Sequence, residues 1–213
     1  MKRRKEKKRK INMQSQKKTK HTGLILTYVI AIALIVSYVY ILVHGIAPKD
    51  SCLEYQKYYV ENVLSDWPGY GGLDYRIGDI RYFSNNHEEN LINTRGTGWS
   101  DLENEGCWTV GEESYFYENI KNARSDTEYA LKLDVFQTLA DLVHVKINGK
   151  EIGTIEEGTE GMVTFTIPKN LLTNGFATFE LKIDSPKVPS QQSKSTDDRE
   201  LGINIVSFEI GEK

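Results

Sequence analysis

Residues 21–48, HTGLILTYVIAIALIVSYVYILVHGIAP, contain no Asp, Glu, Lys or Arg. The core of this run, Leu24–Val43, is twenty residues long. As a helix rising about 1.5 Å per residue it reaches about 30 Å, the thickness of a bilayer's hydrocarbon core. Thr27 and Ser37 are tolerated there because a helix satisfies its own backbone polar groups. Tyr28, Tyr38 and Tyr40 fall toward its two ends, where amphipathic rings favour the interface. The run is longer than the core of a typical cleaved signal peptide, and no clear small-x-small cleavage site follows it. The residues before Cys52, APKDS, do not form a lipoprotein pattern either. The sequence therefore predicts an uncleaved membrane anchor.

Charge divides the chain on either side of this run. Residues 1–20 hold eleven Lys/Arg and one acid, Glu6, whereas the rest of the chain sets sixteen Lys/Arg against twenty-nine Asp/Glu. The net charge of −3 is an average of two opposite regions. The positive-inside rule places the basic arm in the cytoplasm and residues 49–213 outside. The same arm could grip anionic head groups. A basic run can also bind nucleic acid, but one pinned beside a membrane without aromatic interleaving argues against it. Both cysteines, Cys52 and Cys107, fall on the outer side, where an oxidising compartment permits either one disulfide or two unpaired thiols. The chain lacks a C-x-x-C pair and an Asn-x-Ser/Thr sequon, which suits a bacterial surface protein.

The expected organisation is a basic cytoplasmic tail over 1–22, a transmembrane helix over 23–45, a juxtamembrane helix and linker over 46–69, and an outer domain over 70–213. Ser51 and Glu54 have the spacing of a capping box. Val60, Val63, Leu64 and Trp67 follow a helical period, and Lys57 and Glu61 are an i,i+4 pair. These predict a helix of about four turns from Cys52 to Ser65, stopped by Pro68 and Gly69.

Beyond residue 70 the period becomes two. Leu131, Leu133 and Val135 alternate with Lys132 and Asp134, and Val143, Val145 and Ile147 alternate with His144 and Lys146. Asn148–Gly149 then predicts a type I′ hairpin, whose central positions need positive φ. Val163, Phe165 and Ile167 form a further strand, as do Ala177, Phe179, Leu181 and Ile183. In LGINIVSFEI, Ile203 and Ile205 share one phase while Val206, Phe208 and Ile210 take the other, which a β-bulge would reconcile. One-sided alternation over eight or so short strands predicts a mainly β fold, an antiparallel β-sandwich of jelly-roll type. The polar run 187–200, KVPSQQSKSTDDRE, is a loop long enough to be functional or merely mobile.

The stretch 96–114, GTGWSDLENEGCWTVGEES, carries the richest chemistry. Asp101, Glu103 and Glu105 alternate, and a glycan hydrolase needs two carboxylates, one with a raised pKa. Nothing in the sequence supplies the hydrophobic pocket that such an acid requires. His21, His44, His87 and His144 are scattered, without metal-ligand spacing, nucleophile elbow, P-loop or dinucleotide fingerprint nearby. Calcium could be held by Asp197–Asp198 or by the 101–105 acids, although no calcium-loop pattern is present. No cofactor is implied. Trp99, Trp108, Tyr115 and Tyr117 offer flat apolar faces to pyranose C–H groups, and Glu103 offers a hydroxyl acceptor. Tryptophan pairs of this spacing suit core anchoring equally well.

The pattern G-W-S-x-x-E-x-x-G-x-W-T-x-G, Gly98 to Gly111, resembles the start of a β-sandwich module that forms the C-terminal accessory domain of bacterial membrane phosphoglycerol and glycosyl transferases. The hairpin Val143–Ile152 is similar to the middle of that module, and Ser185 to Ile205, S-P…D-D-R-E-L-G-I-x-I, to its close. The resemblance covers about residues 70–210. It implies a sandwich tied to cell-envelope saccharide metabolism, without the transferase chemistry, whose catalytic body has no counterpart in 213 residues. Cys107 within the motif and the single-span anchor depart from the family pattern. The expectation is a non-enzymatic, single-pass membrane protein. Its outer module would contact an envelope polysaccharide or a membrane glycan transferase through Trp99, Glu103, Trp108 and Tyr115. Two other readings remain: a structural partner acting through its span and juxtamembrane helix, and a carboxylate-dependent hydrolase.

Overall fold

Among the described residues, ten strands form two facing sheets. The structure, a computed structural model, describes residues 24–45, 51–87 and 91–213. They belong to two units, divided between Ser51 and Cys52. In the first, α1 (Leu24–Gly45) is long and apolar enough to cross a membrane, a test that a signal sequence would also pass. Its large apolar side chains are exposed along its whole length. The basic tail lies outside the described residues.

The second unit is a jelly-roll-like β-sandwich. One sheet has the order β1 (Asp74–Arg76), β4 (Glu113–Lys121), β9 (Gly175–Asp184), β6 (Leu142–Ile147), β7 (Lys150–Glu156). The other has the order β2 (Ile80–Tyr82), β10 (Leu201–Glu212), β5 (Tyr129–Thr138), β8 (Gly161–Ile167), with β3 (Cys107–Val110) also paired to β10. These pairings are antiparallel except β1 with β4, which run parallel. Between the sheets the alternating apolar residues interdigitate around an aromatic centre. Phe116 lies 4.6 Å from Phe179 and 4.8 Å from Phe208, ring centroid to centroid, and Tyr75 lies 5.3 Å from Phe208.

Two local features match the sequence pattern closely. Asn148 and Gly149 take φ of 50° and 76° and turn β6 into β7, as a type I′ hairpin requires. In β10 the partner of Ile205 is Val135 and the partner of Ser207 is Asp134, so Val206 is the extra residue of a bulge. The bulge lets Ile203 and Ile205 on one side of it, and Phe208 and Ile210 on the other, all point into the core.

The segment that follows residue 51 departs from its expected form. The helix is shorter than Cys52–Ser65: α2 (Leu53–Tyr55) runs into a π-turn over Gln56–Val60 and ends there. Asn62, at φ 54°, provides the left-handed residue of a helix stop, and the Val63 amide donates back to the Lys57 carbonyl at 3.0 Å. Stopping early lets Val63 and Leu64 turn onto the outer face of the first sheet. There they and Leu53, Tyr58 and Leu73 pack with Tyr115, Tyr117 and Phe176. The predicted Lys57–Glu61 pair forms, at 2.6 Å, with the Lys57 ammonium also 4.1 Å over the Phe176 ring. The N-cap is Cys52, with no side-chain cap bond, and Glu54 is buried, accepting the Gly71 amide at 3.1 Å.

One carboxylate lies inside the sandwich. Glu118 shares the inward face of β4 with Phe116 and Ile120 and is completely buried. The Thr94 hydroxyl donates to its Oε1 at 3.0 Å, and the Arg81 Nε, from the opposite sheet, stands 3.6 Å away. Desolvation outweighs the Arg81 charge and pushes the carboxyl up to about 8. The folded state therefore holds a proton on Glu118 between the ordinary carboxylate range and about pH 8, where the unfolded chain does not. Stability from this group falls as pH rises through that window. In Glu118→Gln, thermal melts from pH 5 to 8.5 should lose the part of the decline due to this group, a difference of roughly several degrees in midpoint against the unsubstituted protein.

Candidate functional site

The stretch 96–111 folds as the sequence needs it to, because its glycines admit close backbone approaches. Gly98, at φ 86°, lies so near β4 that an added Cβ would stand 1.9 Å from the Glu113 carbonyl. The Gly98 carbonyl accepts the Val110 amide at 2.7 Å and also the Ser114 hydroxyl. Trp99 follows, pairing with Thr109 across a single bridge, and the chain then returns as β3 alongside β10.

At the far end of this sheet the loop 187–200 is pinned at its base. The amides of Lys187 and Leu201 each donate to the other's carbonyl at 2.8 Å, and Lys187 also pairs with Asp141. Inside the loop, α3 (Pro189–Gln192) begins with proline, whose fixed φ suits a first helical position. Arg199 grips Asp197 through Nε and Nη2 at 2.6–3.1 Å and reaches the Glu103 carboxylate at 3.3 Å. This guanidinium holds the Asp197 carboxyl down to about 2.

Between this loop, β3 and the end of β5 lies an open groove of about 490 Å³, within the usual range for small-molecule sites. Its apolar lining includes Trp108, Leu139 and Pro189, and its polar lining Glu103, Gln137, Gln192 and Arg199. Apolar surface beside planar amides, two carboxylates and a guanidinium is a surface for a ligand that carries both C–H faces and hydroxyl groups.

The four residues singled out in the sequence separate here. Glu103 and Trp108 both line the groove, with Trp108 only 8% exposed. Trp99 is half-buried against the core, its ring centroid 4.7 Å from that of Phe83, and its Nε1 donates to the Tyr115 carbonyl at 2.7 Å. Tyr115 stands on the outer face of the other sheet, 6.5 Å from the parallel Tyr117 ring. Its hydroxyl donates to Glu113 at 2.7 Å, and that bond is the main cause of its raised pKa. Gln137, Gln192 and Arg199 join the groove without having been singled out. The length of the 187–200 loop was a signal for Gln192 and Arg199, whereas Gln137, at the end of β5, carried none.

The carboxylates meant for hydrolysis are not gathered into a cleft. Asp101 and Glu105 are exposed, and Glu103 is tied to Arg199. Among the described residues no group of three or more His, Cys, Asp or Glu is placed to hold a metal ion. Asp197 is occupied by Arg199, and Asp198 accepts the Ser190 hydroxyl. Of the two alternatives open to Cys52 and Cys107, the structure carries them as free thiols. Cys107 lies buried in the core, receiving Arg95 Nη1 at 3.3 Å, with its own S–H toward the Ser100 carbonyl at 3.2 Å. Burial pushes its thiol pKa up, which makes it a poor nucleophile.

Two substitutions test this construction. Gly98→Ala should lose more than about 2 kcal/mol in denaturant unfolding, from the left-handed φ and the clash with the Glu113 carbonyl. Arg199→Ala removes a half-exposed clasp worth about 1 kcal/mol, so hydrogen exchange of amides across 189–198 should quicken about fivefold with the global melt little changed.

The sequence matches no family model and no curated relative. Among solved structures, the chain is similar to the CBM36-1 domain of a multidomain xylanase from the hindgut metagenome of Trinervitermes trinervoides. The identity is 19% and the TM-score 0.36, over 62% of this chain and 95% of that one. It is similar also to a family 35 carbohydrate-binding module from an environmental isolate, at 19% identity and a TM-score of 0.34, over 63% and 82% of the two chains. A family 6 carbohydrate-binding module from Clostridium cellulolyticum, in complex with xylose, follows at 11% identity and a TM-score of 0.37, over 65% and 100%. At these identities no residue of this chain takes a role from its counterparts.

Proposed function

We propose that this chain is a non-enzymatic, single-pass membrane protein whose outer β-sandwich binds a neutral cell-envelope polysaccharide in the groove beside Trp108. α1 is its uncleaved anchor, and the basic arm lies on the cytoplasmic side. The observation that carries the reading is the groove's composition: an indole, a proline and two leucines beside two primary amides, two carboxylates and a guanidinium. Pyranose rings present C–H faces and paired hydroxyls. The apolar group takes the first, and the planar amides and the charged pair take the second in bidentate fashion. The acidic balance of residues 21–213, sixteen bases against twenty-nine acids, disfavours polyanionic polymers and favours neutral ones.

Catalysis is not part of this role, because Glu103 is neutralised by Arg199 and no second carboxylate faces it unpaired across the groove: Asp197 is clasped by the same guanidinium. The sequence resemblance to transferase accessory modules adds a setting. The protein would hold nascent or finished glycan near a membrane glycosyl or phosphoglycerol transferase.

Calorimetric titration of the full-length protein in nanodiscs with purified neutral wall polysaccharide tests the reading. Gln137→Ala with Gln192→Ala should weaken binding about tenfold or more, since two hydrogen-bonding groups are removed. Tyr115→Ala should leave it unchanged. Absent binding, or binding lost in Tyr115→Ala and retained in the glutamine pair, would overturn it.

A further inference from the structure

Between Tyr55 and Tyr70 lies an aromatic patch that the groove does not use. Tyr55, Tyr58, Tyr59, Trp67 and Tyr70 touch ring to ring, with centroid separations of 4.7–5.8 Å. Tyr59 is 61% exposed and Tyr70 86% exposed, with Val60 exposed beside them. Of the five rings only Tyr58 packs against a core cluster of the fold. Contiguous exposed apolar surface of this kind marks a contact site.

The geometry separates two kinds of contact. A strip of sugar rings needs near-coplanar aromatic faces, whereas Tyr58 and Tyr59 meet at 80° and Trp67 and Tyr70 at 87°. Edge-to-face rings present edges, a tyrosine hydroxyl or an indole N–H. A body that is apolar and a tip that is polar suit the headgroup layer of a bilayer, where Trp and Tyr are enriched. Chain connectivity points the same way. Seven peptide bonds join Gly45, the last residue of α1, to Cys52, and at about 3.5 Å each they reach at most about 25 Å. The first ring of the patch follows three residues later.

We infer that Tyr59, Trp67 and Tyr70 insert at headgroup level into the bilayer that α1 spans and seat the sandwich on the membrane surface. The inference rests on the reading of α1 as an uncleaved span. The contact is aromatic in kind, because Lys57 is already engaged by Glu61 and Phe176 and the outer part of the chain is acidic. It therefore needs no anionic lipid and tolerates salt.

The three tryptophans, Trp67, Trp99 and Trp108, all lie outside α1, which makes their fluorescence a clean reporter. The full-length protein is placed in phosphatidylcholine nanodiscs containing lipids brominated near the glycerol end of the acyl chains. A lipid-quenched component of the emission is expected, absent in Trp67→Phe and unchanged by a tenfold rise in salt. Tyr59→Ser with Tyr70→Ser, which alters exposed rings only, should reduce that component at least twofold. An incorporated protein without lipid quenching overturns the seating and leaves the span intact. A protein that carbonate extracts from membranes overturns span and seating together. Protection of Trp67 by the neutral polysaccharide, or by a co-purifying transferase, assigns the patch to another occupant and also overturns the inference. The quenching and extraction outcomes do not bear on the groove, whose titration is separate.

Discussion

The sandwich depends on β10. This twelve-residue strand pairs with β5 along one edge, and with β3 and then β2 along the other. A strand without interruption would turn Phe208 and Ile210 outward if Ile203 and Ile205 faced in, since alternate side chains take opposite faces. The extra residue at Val206 removes that conflict. Both halves of the strand then bury their apolar residues, and Phe208 reaches the Phe116–Phe179 stack.

The position of the groove follows from the same strand. Because β3 holds the Leu201–Ile205 half of β10, Trp108 is brought beside the point where the 187–200 loop joins the sheet. The paired backbone bonds of Lys187 and Leu201 close the loop, and Arg199 draws it toward Glu103. A long connection thereby becomes a wall. Its polar side chains are presented in fixed directions, at a modest cost because most of the clasp is electrostatic and near the surface.

The outer face of the first sheet meets a different need. Tyr115, Tyr117 and Phe176 would leave an apolar strip in water, and the segment from Leu53 to Leu73 covers it. That cover requires the helix to stop at Val60 so that Val63 and Leu64 can turn inward. The same folding back collects Trp67 and Tyr70 beside Tyr58 and Tyr59, which makes the aromatic patch a by-product of covering the sheet. Glu118 shows the opposite economy. It is a carboxyl kept inside, proton retained, between Thr94 and Arg81 of different parts of the chain.

The sequence by itself determined the charge-free run, the strand alternation, the Asn148–Gly149 turn and the bulge near Val206. Each of these is a local pattern whose meaning depends on residues a few positions apart. Only the tertiary structure decided that the 52–65 helix stops early and that Glu54 turns to Gly71. It likewise decided that Trp99 serves the core while Trp108 lines a groove with Gln137 and Gln192. Those outcomes depend on contacts between segments tens of residues apart, and a residue's own spacing does not record which distant surface will cover it.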